Sequence, residues 1–506
     1  MTETRPNILL ITSDQQHWFT LGRDNPRIST PNLDRLAREG VQFDRAYCPN
    51  PVCSPSRSSI ITGQYPSTHG CWTIGVKLAE DVPTVGDALQ AAGYRTSLIG
   101  KAHFQPLRST PDQTSLEIPE KFRDLDFWRG FGGPWYGFQH IEIARMHGDE
   151  AWAGQHYAIW MEAQGFASWQ DHFQPLPSAP GGSARRGAWD LPQEYHYTTW
   201  TAERTIAAIE RDVAAGQPFF TWASFHDPHP PYVVPEPWAS MYDPAEMDPG
   251  TLLPGELDLM PPHHRLTQEV GADFSAWLDE DGHENHGFSS HLVDDAQLRR
   301  DIAVYYGMIS FMDHQIGRIL GRLDDLDIAN QTIVVFTTDH GHFLGHHGLN
   351  AKGAFHYEDL IRLPFVVRMP GTIPGNWRSD AIQSLVDLAP TFLEAARAAI
   401  PGIMQGVSQW RVWTGEAPRA RDWAIVENRH QPTRLHLRTY VEDRYKITVY
   451  RGEEHGELFD LHDDPEERRN RWDDSAFATV KADLMQRWLQ AEISREPTRF
   501  PRIAHA

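Results

Sequence analysis

Cysteine is scarce in this chain: Cys48, Cys53 and Cys71 are the three among 506 residues. That is too few for a disulfide framework, and the odd number leaves at least one sulfur unpaired. No apolar run approaches the roughly 18 residues needed to cross a bilayer. The apolar stretch 7–11 is too short for a signal-peptide core. A cytoplasmic chain without a membrane span is therefore expected. Positive charge is in deficit too, with 46 Lys and Arg against 68 Asp and Glu and a formal net charge of −22. Neutralising phosphates takes clustered cations, so no nucleic-acid-binding surface is expected. The sequence shows no internal repeat and no low-complexity segment.

At 40% hydrophobic and 11% aromatic residues, the chain can bury one large core and a smaller one. Strand-like and helix-like stretches alternate, which points to an α/β sheet. Residues 7–12 form a continuous apolar run of the kind buried on both faces, and the run ends at Asp14. Thr30 and Pro31 open a short helix that Gly40 closes. Residues 82–92 repeat the helical pattern, and the strand 95–99 leads to Lys101 and His103. The helix 201–214 precedes the strand 219–225, which leads to His226 and His229. A long helix over 295–326 precedes the strand 332–338, which leads to Asp339 and His340. Four strands thus end in polar residues, and open α/β sheets bind ligands at the carboxyl ends of their strands.

Two regions break the rhythm. Residues 122–190 are rich in Trp, Gly and His and read as an insertion, with pocket walls, core aromatics or a subunit contact as its alternative uses. After about Pro401 the pattern turns to short strands at 438–440, 445–450 and 457–461 and a final helix over 475–493. A catalytic α/β domain over 1–400 and a C-terminal α+β subdomain over 401–506 are expected, the latter a small antiparallel sheet plus helix.

The most specific signal is Cys53-Ser54-Pro55-Ser56-Arg57, followed by Ser58-Ser59-Ile60-Ile61-Thr62-Gly63. A lone cysteine is more often a plain thiol. Here Pro55 and Arg57 stand at fixed offsets, and Cys-x-Pro-x-Arg is the signal that converts cysteine to formylglycine. Together with Asp14-Gln15, Gly100-Lys101-Ala102-His103, Pro228-His229-Pro230, Asp339-His340-Gly341 and Lys352, it resembles the type I sulfatases of the alkaline phosphatase superfamily. The Gly-Lys-x-His-Phe context is similar to choline sulfatases and arylsulfatases. The Asp-Gln and Asp-His pairs also occur in phosphonate monoester hydrolases, where hydroxyl-bearing side chains stand at the places of Lys101 and His103.

The resemblance implies an alkaline-phosphatase-like, mostly parallel sheet and a sulfuric ester hydrolase. It implies that Cys53, as formylglycine, hydrates to a diol that attacks sulfur and later expels sulfate. Asp14, Gln15, Asp339 and His340 would hold one divalent cation together with the Cys53-derived oxygen. Hard oxygen donors favour Ca²⁺ or Mg²⁺, and Gln15 and His340 in place of the more usual Asp and Asn open the site to Mn²⁺. Arg57 would hold the formylglycine, Lys101 and Lys352 the sulfate oxygens, His103 would act as base for sulfate release, and His229 would contact sulfate and protonate the leaving oxygen. The remaining histidines, among them His226, His346 and His347, stay outside that set. The implied partners are a small sulfate ester, aryl, choline-like or sugar, and a formylglycine-generating enzyme. The alternative enzyme is a phosphonate monoester or phosphodiester hydrolase, and a silent binding protein is a third reading. A homo-oligomer is left open.

Overall fold

The computed structural model describes residues 5–174, 185–280, 287–498 and 502–503. Eight strands form the central sheet: β1 (Asn7–Ser13), β2 (Val41–Phe43), β3 (Arg95–Gly100), β4 (His140–Ile143), β5 (Phe219–Ser224), β6 (Thr332–Thr338), β7 (Val366–Arg368) and β8 (Trp377–Ser379). Their order is β8-β2-β7-β6-β1-β5-β3-β4. The run from β6 to β4 is parallel throughout, and β7 pairs antiparallel with both β6 and β2. β1 lies at the centre because its Ile/Leu run leaves no face for water. Ile8 and Leu10 enter one core layer, and Leu9 and Ile11 enter the other. A fully buried side chain of this size contributes about 1.5–3 kcal/mol, so the strand that carries Asp14 at its end is firmly anchored.

Helices cover both faces. One layer receives Leu33, Leu36 and Ala37 of α1 (Pro31–Arg38), Ile209 of α3 (Tyr197–Ala214), and Ile316 and Leu323 of α4 (Asp295–Asp325). The opposite layer takes Ile60 and Ile61 of α2 (Cys53–Thr62). A second sheet follows, with β9 (Trp423–Arg429), β10 (His436–Glu442), β11 (Tyr445–Tyr450) and β12 (Gly456–Asp460) antiparallel in sequence order. Alternation along β9 sends Ala424 and Val426 into the main core and Ile425 towards Leu484 and Trp488 of α5 (Ala478–Ser494). The small sheet therefore shares its interior with the large one.

The fold class is as expected from the sequence, with five strands added to the two sheets, of which β2, β7 and β8 extend the central sheet beyond β6. β9 precedes the three C-terminal strands anticipated, and β4 lies inside the aromatic-rich segment. That segment builds a further core against α3: its Tyr157, Trp160, Trp169 and Trp189 pack with Trp200 of that helix, and all are buried. Positions 175–184 of the expected insertion lie outside the described residues. Among those described, no helix is long and apolar enough to cross a membrane.

Candidate active site

Cys53 is the first residue of α2, and all ten residues of that helix are buried. Val52 precedes it in extended conformation and offers no side-chain cap. The N–H groups of the first turn are therefore free of a capping partner, and Pro55 sits where a missing N–H removes no helical bond. At the other end Gly63 stops the helix in the left-handed region, at φ 63°.

The strand ends bring their polar residues to this point. Cys53 Sγ lies 3.1 Å from Lys352 Nζ, 3.1 Å from His340 Nε2 and 3.6 Å from Asp14 Oδ1. The ligand atoms of Asp14, Cys53, Asp339 and His340 all fall within 4.8 Å of one another. Arg57, one turn along α2, donates from Nε to Asp339 Oδ2 (2.8 Å) and from Nη1 to Ser224 Oγ (2.7 Å). Its Nη2 lies 3.7 Å from Asp14 Oδ2. Lys101 Nζ pairs with Asp14 Oδ2 and reaches His147 Nε2 at 2.7 Å. Lys352 Nζ also donates to His229 Nε2 (3.1 Å). Three cations thus surround two carboxylates, all with little or no exposure.

The charges respond to this packing. Burial and the Asp14 carboxylate push the Cys53 thiol up, but Lys101, Lys352 and His340 outweigh them and bring it down to about 6. Burial also pushes Asp14 up, and Lys101, His229 and Arg57 hold it well below the usual carboxylate range. Burial first, then His147 and Lys352, drives His229 well below the ordinary imidazole value. Its Nδ1 lies 2.6 Å from the Pro230 carbonyl, to which it donates, and its Nε2 lone pair accepts from Lys352.

The donor set suits a divalent cation. His340 Nδ1 donates to the Gly341 carbonyl (3.0 Å), which leaves the Nε2 lone pair facing Cys53 Sγ. Asp339 accepts from the Gln15 N–H (3.1 Å), which brings Gln15 alongside. Both amide atoms of the buried Gln15 side chain lack a hydrogen-bond partner, a costly state that a ligand on the oxygen relieves.

The structure therefore brings Asp14, Gln15, Cys53, Arg57, Lys101, His229, Asp339, His340 and Lys352 together. His103 stands apart. Two residues apart, Lys101 and His103 would point to one side if the strand continued, but β3 ends at Gly100, at φ +107°, where a Cβ would meet the Ser224 carbonyl at 1.9 Å. The chain turns there, and His103 lies against Arg145 instead. Among the described residues no hydrogen bond joins it to Cys53. Two residues escaped the sequence reading, Arg145 and His147. His147 stacks on His229, with ring centroids 3.8 Å apart, and bonds to Lys101. Both follow β4, so the strand-end rule could have found them had that four-residue strand been recognised. His226, left out of the set, bonds to the Ala144 carbonyl (2.9 Å).

Comparison with known proteins agrees with this geometry. The family described as Sulfatase matches residues 6–398, and the one described as N-sulphoglucosamine sulphohydrolase, C-terminal, matches residues 345–494. The arylsulfatase of Clostridium perfringens (strain 13 / Type A) is 29% identical over 478 residues, covering 92% of this chain and 90% of the relative. The multifunctional alkaline phosphatase superfamily protein PehA of Trinickia caryophylli is 28% identical over 518 residues, covering 97% and 96%. The solved phosphonate monoester hydrolase of Silicibacter pomeroyi superposes with a TM-score of 0.80 at 26% identity, covering 99% of this chain and 98% of that one.

Proposed function

The chain belongs to the sulfatase family and is a sulfuric ester hydrolase, and from that premise we propose that its reaction runs through Cys53 as formylglycine beside one divalent cation. The observation that carries this reading is the position of Cys53, buried at a helix start within 3.1 Å of both Lys352 Nζ and His340 Nε2 and beside Asp14. Held by Asp14, Gln15, Asp339 and His340, the cation would supply Lewis-acid charge and lower the pKa of an oxygen ligand. Predominantly oxygen donors favour Ca²⁺, with Mn²⁺ or Mg²⁺ as alternatives. Formylglycine would supply a hydrated aldehyde as the nucleophile.

The chain's own residues then bind and orient. Lys101 and Lys352 offer fixed positive charge to the sulfate oxygens, in a setting too buried for water to screen it. Arg57 aligns Asp14 and Asp339 through its guanidinium. His229, braced by the Pro230 carbonyl, accepts the Lys352 N–H at Nε2, so the proton for the leaving oxygen would come from the Lys352 ammonium and not, as the resemblance implies, from His229. Aryl, choline-like and sugar sulfates remain the substrate classes. Cys48 and Cys71, buried and unpaired, support a reducing, cytoplasmic setting, and a formylglycine-generating enzyme is the maturation partner.

A second reading rests on the likeness to the Silicibacter pomeroyi enzyme: this site also turns over phosphonate monoesters as a side activity. We expect a higher kcat/KM for an aryl sulfate than for the matched aryl phosphonate monoester. A strong preference for the phosphonate would promote the second reading to the first.

A further inference from the structure

Beyond the Cys53 cluster, a second group of buried charges surrounds His103. The Glu117 carboxylate accepts three consecutive backbone N–H groups, from His103 (3.0 Å), Phe104 (2.8 Å) and Gln105 (2.8 Å). Those bonds hold the loop that carries His103 at φ +63°. Arg145 reaches in from the end of β4, with Nε 3.7 Å from Glu117 Oε1 and Nη2 2.6 Å from His103 Nε2.

A guanidinium has five donors and no acceptor, so His103 Nε2 receives this bond with its lone pair. The single proton of a neutral imidazole then sits on Nδ1. That atom is buried and has no hydrogen-bond partner, so it remains a donor for an incoming oxygen. An imidazolium would set two N–H groups against each other at 2.6 Å. The charges facing His103 are Arg145, Lys101, Arg57 and the imidazole of His147, with Glu117 the carboxylate beneath its backbone. Burial first, then Arg145 and Lys101, drives the imidazole well below its ordinary range.

We propose that Arg145, steadied by Glu117, is a positioning residue that fixes His103 as the neutral Nδ1–H tautomer, so that His103 meets the reacting sulfate as a hydrogen-bond donor. This assignment rests on the sulfatase reading and revises the base role that the resemblance gives to His103. It makes Arg145 and Glu117 part of the machinery, although neither touches Cys53.

The nitrogen resonances of His103 in the ¹⁵N-labelled wild-type enzyme test it without turnover, with the signal assigned by its loss in His103→Asn. The expected spectrum is that of Nδ1–H with an unprotonated Nε2, unchanged on titration below the ordinary value of 6.5. In Arg145→Met the imidazole should titrate closer to that value, and in Arg145→Lys it should stay depressed. Asparagine places an amide N–H near the former Nδ1, so His103→Asn should exceed His103→Ala in kcat by about tenfold, the worth of one net hydrogen bond. An Nε2–H tautomer in the wild type would overturn the proposal, as would an Arg145→Met titration identical to wild type or equal losses in the Asn and Ala variants. A wild-type enzyme with the expected spectrum and no sulfatase turnover would instead count against the reaction and leave the tautomer standing.

Discussion

Two clusters of histidine and carboxylate draw on the loops after β1 and β6, and they differ in how completely their polar atoms are used. The second comprises His17, His346 and Asp359, with His347 and Glu256 adjoining. The ligand atoms of its first three residues are as close to one another as those around Cys53. Its histidines, however, are already committed. His17 Nδ1 accepts the Phe19 N–H (3.1 Å), so Nε2 carries the proton and donates to Asp359 Oδ1 (2.9 Å). His346 lies 3.2 Å from Asp359 Oδ2, and His347 pairs with Glu256. Around Cys53 the balance is reversed: the Gln15 amide is unpaired, the His340 lone pair faces the sulfur, and three cations outnumber two carboxylates. Spacing alone suggests a metal site in both places. Unsatisfied donor atoms single out the first.

The largest expected effect is at Cys53. Cys53→Ala should lower kcat by roughly 10⁴–10⁶-fold, the range for removing a nucleophile, as read in a turnover assay. Asp14→Ala and Asp339→Ala should lose turnover and bound metal together, because a hard-cation site loses an anionic ligand. Asp359→Asn should leave metal content by elemental analysis unchanged. Metal loss in Asp359→Asn, or full metal in both Ala variants, would erase the distinction between the clusters. Next comes His103→Ala, expected to slow turnover by roughly tenfold through loss of the hydrogen bond that His103 donates, in steady-state assays with an aryl sulfate.

The second cluster should instead show itself in stability. Asp359→Asn leaves buried partners of a carboxylate underused and should cost about 1–3 kcal/mol, measured by denaturant unfolding. The smallest effect is its pH dependence. Burial pushes Asp359 up, but His346 and His17 outweigh it and hold the carboxyl well below its usual range. Asp359 raises His346 against the lowering by burial. A depressed carboxylate stabilises above its unfolded pKa and loses that contribution as pH falls towards the folded value. A raised histidine stabilises below 6.5 and loses its contribution as pH rises through the folded value. His346 is 37% exposed, so screening leaves only a few tenths of a kcal/mol on the alkaline side. Thermal unfolding across neutral pH should show that decline in the wild type and lose it in Asp359→Asn.

Much of the Cys53 cluster was legible in the sequence because strands with long apolar runs announce their own ends. β1, β3, β5 and β6 each carry five or more residues with both faces buried, and their terminal polar residues stood out against that background. Arg145 and His147 did not, since β4 is a four-residue edge strand whose alternating burial merges with the aromatics around it. β9 was missed for a similar reason: half of its apolar residues face the main core and half face α5, so neither periodicity dominates. The direction of His103 was beyond sequence reasoning, because it depends on a turn at Gly100 that brings it to Arg145, 42 residues away.

The most direct test is the mass of the peptide that contains Cys53, taken from enzyme of known specific activity. Formylglycine would show as sulfur replaced by oxygen with two hydrogens fewer, in a peptide that reacts with hydrazide reagents, and its fraction should track activity across preparations. An unmodified thiol in fully active enzyme would contradict the account.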